Sequence, residues 1–208
     1  MFGSCIACGA FASNVAGFER DGDDFICPKC GHRRTLSRGD LFVVLGPSGC
    51  GKSSLWNYVL TRPDRPDLVY LDSDILLALS QHGTEEYAAY WLFICACISQ
   101  SGRPVLLFTT IQPDAFETSG RRDLFREIHY LGLYCTDEEL ERRLRTRPSW
   151  RSSSQPEVIV GMQEWNRAVR DRAWGYAELD ARGLFCAQDT TGKSLDESAT
   201  ELFDWLGR

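Results

Sequence analysis

Hydrophobic positions along the chain follow two rhythms. Leu41–Leu45 is an unbroken apolar run, the pattern of a strand buried on both faces. Leu68–Leu71, Val105–Phe108, Ile128–Tyr134 and Leu184–Ala187 repeat it. Between these runs the spacing turns helical. One helix is predicted from Lys52 to Leu60, and another from Thr84 to Gln100, ended by Gly102 and Pro104. Thr136 and Glu139 have capping-box spacing ahead of a third, which Pro148 stops. Val158, Met162, Trp165 and Val169 recur on one face of a later helix, and Ser194 with Glu197 caps the last. Five strands alternating with helices predict a three-layer α/β fold around a parallel sheet.

The first residues do not share this rhythm. They are rich in Cys and Gly and poor in large aliphatics, and the change falls at Ser37-Arg38-Gly39-Asp40. A small module over residues 1–37 and a main domain over 38–208 are therefore expected. Cys5-Ile-Ala-Cys8 and Cys27-Pro-Lys-Cys30 form CxxC-x18-CxxC, a spacing that lets four thiolates meet one tetrahedral zinc ion. Gly9 and Gly31 follow each pair. The pattern resembles a zinc ribbon, whose closed shell of Cys5, Cys8, Cys27 and Cys30 gives zinc a structural role. Two disulfides, or reduced unpaired thiols, are the competing readings. Lys29, Arg33, Arg34 and Arg38 cluster near the second pair; a solvated surface is favoured over contact with nucleic acid or a protein.

Composition narrows the partners. The chain has 208 residues, 43% of them hydrophobic, with a net charge of −6, so bulk attraction to nucleic acid or an anionic membrane is not expected. The longest apolar run, Tyr87 to Ile98, falls short of the roughly 20 residues a membrane span takes. No secretory pattern opens the sequence, and the remaining cysteines lie in apolar or glycine-rich stretches, so the cytoplasm is the expected compartment. Oligomeric state is not legible.

The chemistry concentrates at three places. Gly46-Pro-Ser-Gly-Cys-Gly-Lys-Ser53 fits GxxxxGK[ST], after a strand and opening a helix. Gly46, Ser48, Gly49, Cys50, Gly51 and Ser54 would present backbone or hydroxyl groups to phosphates. Lys52 would bridge the terminal phosphates, and Ser53 would ligate Mg²⁺. Asp72-Ser73-Asp74 follows the second strand, at the sheet edge where open α/β folds bind ligands. Asp72 is assigned to Mg²⁺ and Asp74 to an acceptor hydroxyl; the two roles are interchangeable on sequence, and helix capping is the alternative. Third, Arg143, Arg147 and Arg151 stand in a basic stretch and are candidates for phosphate contact, while Arg142 and Arg145 read as ion-pair partners of nearby glutamates.

On these motifs the chain resembles the small-molecule P-loop kinases: nucleoside and nucleotide kinases, shikimate kinase and gluconate kinase. The resemblance runs from about Asp40 onward. It implies strand order 2-3-1-4-5, a lid near residues 146–157, and a nucleotide-base loop at Asp189-Thr190-Thr191. It also implies ATP or GTP with Mg²⁺ as donor and a small-molecule acceptor, a nucleoside or nucleotide first. Two departures stand out. The third strand ends in Phe108-Thr109-Thr110 without a carboxylate, and the glycine-rich substrate loop of shikimate kinase is missing. The alternatives are a nucleotide-dependent switch, or a polynucleotide-end kinase whose ribbon holds nucleic acid or a protein. The octet also resembles that of transporter ATPases, but no LSGGQ-like stretch follows.

Overall fold

The computed structural model describes residues 4–10, 19–62, 65–148 and 152–207. Three short antiparallel strands come first: β1 (Glu19–Asp21), β2 (Asp24–Ile26) and β3 (Arg33–Thr35). The main domain follows as β4 (Leu41–Leu45), α1 (Lys52–Leu60), β5 (Val69–Asp72), a kinked 3-10 segment (Ser73–His82), α2 (Thr84–Ser99), β6 (Val105–Phe108), α3 (Pro113–Glu117) and β7 (Ile128–Tyr134). It ends with α4 (Asp137–Arg145), α5 (Pro156–Asp171), α6 (Tyr176–Ala181), β8 (Phe185–Asp189) and α7 (Leu195–Leu206).

The large sheet runs β5-β6-β4-β7-β8, every pairing parallel. Counted within this sheet alone, the order is 2-3-1-4-5. Adjacent residues of β4 face opposite layers, as the period of a strand requires. Val43 lies in the buried cluster that holds Trp91 and Leu92 of α2 and Val169 of α5, whereas Val44 lies in the one that holds Leu55 of α1 and Leu202 of α7. Gly132 in β7 is a matter of space. A Cβ there would stand 2.6 Å from Val169 and 2.8 Å from the Phe185 ring, so glycine lets α5 approach the sheet.

The capping signals differ in outcome. Ser194 and Glu197 form the reciprocal box at α7. At α4 only half forms: Thr136 accepts from the Glu139 N–H, but the Glu139 carboxylate is taken by Arg142 and Arg143. The second strand starts one residue later than expected and includes Asp72; the fifth extends to Asp189.

The cysteine module does not hang free. Phe25 and Leu36 are buried in the same apolar cluster as Trp91 and Leu107 of the main domain. Gln100 donates to the Ser37 carbonyl at 2.8 Å. No helix among the described residues is long and apolar enough to cross a membrane.

Candidate active site

Leu45 pairs with Gly132 of β7, and the chain then turns away from the sheet at Gly46. Gly46, Gly49 and Gly51 all have positive φ. Added bulk has no room at the first two. A Cβ on Gly46 would lie 2.3 Å from the Leu133 carbonyl oxygen, and one on Gly49 would lie 2.9 Å from the Leu140 side chain. The loop so shaped leads into α1, whose N-terminus has no side-chain cap and no acidic residue in its first turn. Its partial positive charge is left for an external anion. Lys52 folds back over the loop and donates to the carbonyls of Gly46 and Pro47, the latter at 2.9 Å. Cys50 is buried and fills the inside of the turn, its N–H donating to Pro47.

Beside this loop lies a cavity of about 400 Å³, bounded in part by Gly51, Ser53, Ser54, Arg143, Arg147 and Thr190. No carboxylate stands among its described lining residues. Arg143 closes one wall, donating to the Gly49 carbonyl at 3.3 Å and to both the hydroxyl and the carbonyl of Thr190 at 3.2 Å. Its Nε is held by Glu139 at 2.7 Å. Hydrogen bonds from Arg142 bring the Glu139 carboxyl down to about 2, with Arg143 adding to that and burial opposing it. Thr190 is itself buried, and its hydroxyl lies 2.9 Å from the Cys50 carbonyl. Arg142 and Arg145 pair with Glu139 and Glu141, as their spacing predicts.

Asp72 ends β5, and its carboxylate accepts the Asp74 N–H at 3.0 Å, capping the 3-10 segment. Its carboxyl is raised above the usual aspartate range. Burial is the main cause; the Asp74 N–H opposes the rise, the Asp74 charge adds to it, and the Lys52 ammonium opposes it. Asp72 is therefore within electrostatic reach of Lys52. Asp74 is exposed. Between them the buried Ser73 has an Oγ with no hydrogen-bond partner, and its carbonyl accepts from the Tyr87 hydroxyl of α2.

Some expected residues fall elsewhere. Arg151 lies outside the described residues. Asp189 does not line the cavity beside the loop; its carboxylate accepts the Thr191 N–H at 2.8 Å and it borders a neighbouring hollow of about 230 Å³. Asp189 is therefore spent on shaping its own turn. Thr146 and Lys193 line the larger cavity without having stood out in the sequence, because nothing local marks them. Asn166 carries no local signal in the sequence either. It is buried on α5 and bonds both the N–H and the carbonyl of Cys135, fixing α5 against the end of β7.

The four ribbon cysteines converge. Their sulfurs lie within 4.8 Å of one another, with Cys5–Cys30 at 3.6 Å and Cys8–Cys27 at 3.8 Å. Four sulfurs about 2.3 Å from one tetrahedral ion stand roughly 3.8 Å apart, whereas a disulfide needs about 2.05 Å. The residues present therefore fit zinc and not two disulfides. The basic cluster is largely spent: Arg33 pairs with Asp21 and Asp24, and Arg38 with Asp23.

No family model and no curated protein matches the chain. Solved structures do. A gluconokinase from Sinorhizobium meliloti 1021 superposes with a TM-score of 0.54 at 18% identity, covering 83% of this chain and 94% of that one. A sugar kinase from Janibacter sp. HTCC2649 gives 0.53 at 16% identity, over 82% and 95%. The tunicamycin resistance protein of Deinococcus radiodurans gives 0.54 at 19%, over 82% and 96%. These likenesses establish the fold: a three-layer α/β P-loop architecture, similar to that of solved small-molecule kinases.

Proposed function

We propose that the chain is a phosphotransferase that moves the terminal phosphoryl group of ATP or GTP to a hydroxyl of a small molecule, a nucleoside or nucleotide being the class suggested by sequence. One observation carries this reading: a cavity lined by Arg143 and Arg147, with no carboxylate among its described lining residues, adjoins a glycine-shaped loop and an uncapped helix N-terminus, with Asp72 within electrostatic reach of Lys52. Mg²⁺, when bound, neutralises charge on the phosphates. Ser53 and Asp72 are the residues suited to hold it.

In this reading Lys52 leaves the carbonyls of Gly46 and Pro47 for the phosphates. Arg143, already oriented by Glu139, holds the wall formed by Gly49 and Thr190. Asp74 accepts the proton of the acceptor hydroxyl. The acceptor oxygen forms the new bond to phosphorus, the bond from phosphorus to the bridging oxygen breaks, and the nucleoside diphosphate departs with that electron pair. The segment near 146–157 acts as the lid, with Arg147 on the cavity wall. The cysteine module holds a structural zinc. A nucleic-acid role for the ribbon loses support, since Arg33 and Arg38 are engaged by carboxylates of the ribbon itself.

The test is transfer of label from γ-labelled ATP with Mg²⁺ to a panel of hydroxylated metabolites. Label on an acceptor is expected. Nucleotide bound with no acceptor labelled would end the reading.

A further inference from the structure

A second cavity, of about 420 Å³, is bounded by Thr84 and Glu85 of α2, Thr110 and Gln112 of the loop after β6, and Asp114 and Thr118 in and just after α3. Its place in the fold is specific. β6 lies between β4 and β5, and its last residue, Phe108, pairs with Val44 on one side and Asp72 on the other. Neighbouring strands are about 4.8 Å apart. The loop after β6 therefore emerges between the phosphate loop and the aspartates. Thr109 pins it there, its N–H donating to the Val44 carbonyl at 2.9 Å and its hydroxyl accepting from Ile111 at 3.0 Å. The other wall is fastened too: Tyr87, one turn into α2, donates to the carbonyl of Ser73, between Asp72 and Asp74.

The lining chemistry is the reverse of that in the first cavity. It offers hydroxyls, an amide and two carboxylates, with no Lys, Arg or His among the described lining residues. Helix N-termini ordinarily welcome anions. Here α2 carries Glu85 and Glu86 in its first turn and α3 carries Asp114, so both fields are already answered. A carboxylate or phosphate entering would face like charge, with no cation among the described lining residues to offset it. Hydroxyl groups, which both donate and accept, suit this lining, and an amino group would find the carboxylates.

We infer that this cavity is the acceptor subsite, and that it selects a hydroxyl-rich acceptor bearing no carboxylate or phosphate. The inference rests on the phosphotransferase reading. Within the nucleoside and nucleotide class it points to the nucleoside.

Matched acceptors test it, with labelled ATP as donor: a nucleoside against its monophosphate, a sugar against its sugar acid, and an amino sugar. The phosphate-free and carboxylate-free members are expected to have kcat/KM at least about tenfold higher. Equal or better transfer to the anionic members would overturn the inference while leaving the phosphotransferase reading standing. Label on no member, with ATP bound, would end both. Asp114→Lys and Glu85→Lys, each at an exposed position, should shift preference toward the anionic member by about tenfold or more. An unchanged ratio in both variants would show that the acceptor binds elsewhere.

Discussion

Arg143 and Thr190 are joined at two points, the guanidinium donating to both the hydroxyl and the carbonyl of the threonine at 3.2 Å. A third bond, to the Gly49 carbonyl, brings in the phosphate loop. One side chain thus ties α4, the loop after β8 and the cradle into a single wall. With Glu139 the guanidinium serves four acceptors from a planar fork, one more than the three donors of an ammonium can reach, so lysine is no substitute. Arg143→Lys should weaken nucleotide binding by roughly 10- to 100-fold, in line with losing hydrogen bonds from a charged group. Thr190→Val, which removes a buried hydroxyl, should cost about 1–2 kcal/mol of stability. Calorimetric titration and thermal melts read the two effects. Wild-type affinity in Arg143→Lys would mean that the wall is not part of the nucleotide site.

Glu139 orients this arginine, and its carboxyl is held down at about 2, chiefly by Arg142. An unfolded glutamate titrates near 4.3. A depressed folded value means stability that is present above about 4.3 and is lost as pH falls toward 2. Glu139→Gln should therefore melt earlier at neutral pH and show a flatter dependence of melting temperature on pH across that acid window. Parallel curves for variant and wild type would contradict the ion-pair account.

Much of the scaffold could be read from the chain because strands buried on both faces are continuous apolar runs. Leu41–Leu45, Val105–Phe108 and Ile128–Tyr134 have the boundaries their hydrophobicity predicts. Leu68 misled by one position: it belongs to a turn, its N–H donating to Arg65. The short α3 and α6, and the three-residue ribbon strands, carry too few positions for any period to register. Among the arginines, glutamate spacing marks Arg142 and Arg145 as ion-pair partners but does not set Arg143 apart from them. Arg143 has the same spacing to Glu139 and differs only in three dimensions, where it reaches Gly49. The cavity beside α3 carries no signal in the sequence because its walls come from Thr84, Thr110 and Thr118, which only the strand order brings together.

Lys52 rests on carbonyls of its own loop, whereas the two aspartates flank Ser73 at the end of β5. The three should separate kinetically. Lys52→Ala should lower kcat by roughly 10²–10³-fold, the scale of removing one fixed charge from a transfer site. Asp74→Asn should lower kcat by about 10²–10⁴-fold without moving the Mg²⁺ titration. Asp72→Asn should instead raise the Mg²⁺ concentration needed for half-maximal rate. If the Mg²⁺ shift appears in Asp74→Asn and not in Asp72→Asn, the two roles are reversed.

The ribbon and the main domain should unfold together. Phe25 stands on β2 between the two cysteine pairs, yet it is buried in the cluster that holds Trp91 and Leu107. Loss of the metal frees the cysteine turns, and β2 then has little else to fix Phe25 in place. A strong chelator should therefore lower the melting temperature of the whole chain in one transition and not in a separate early step. Phe25→Ala should cost about 3–5 kcal/mol, the range for truncating a buried aromatic, with zinc still bound. Cys27→Ser should remove both the zinc, read by atomic emission, and the chelator effect. A melting curve that ignores the chelator while zinc leaves would show that the four sulfurs play no part in holding Phe25 against α2 and the sheet.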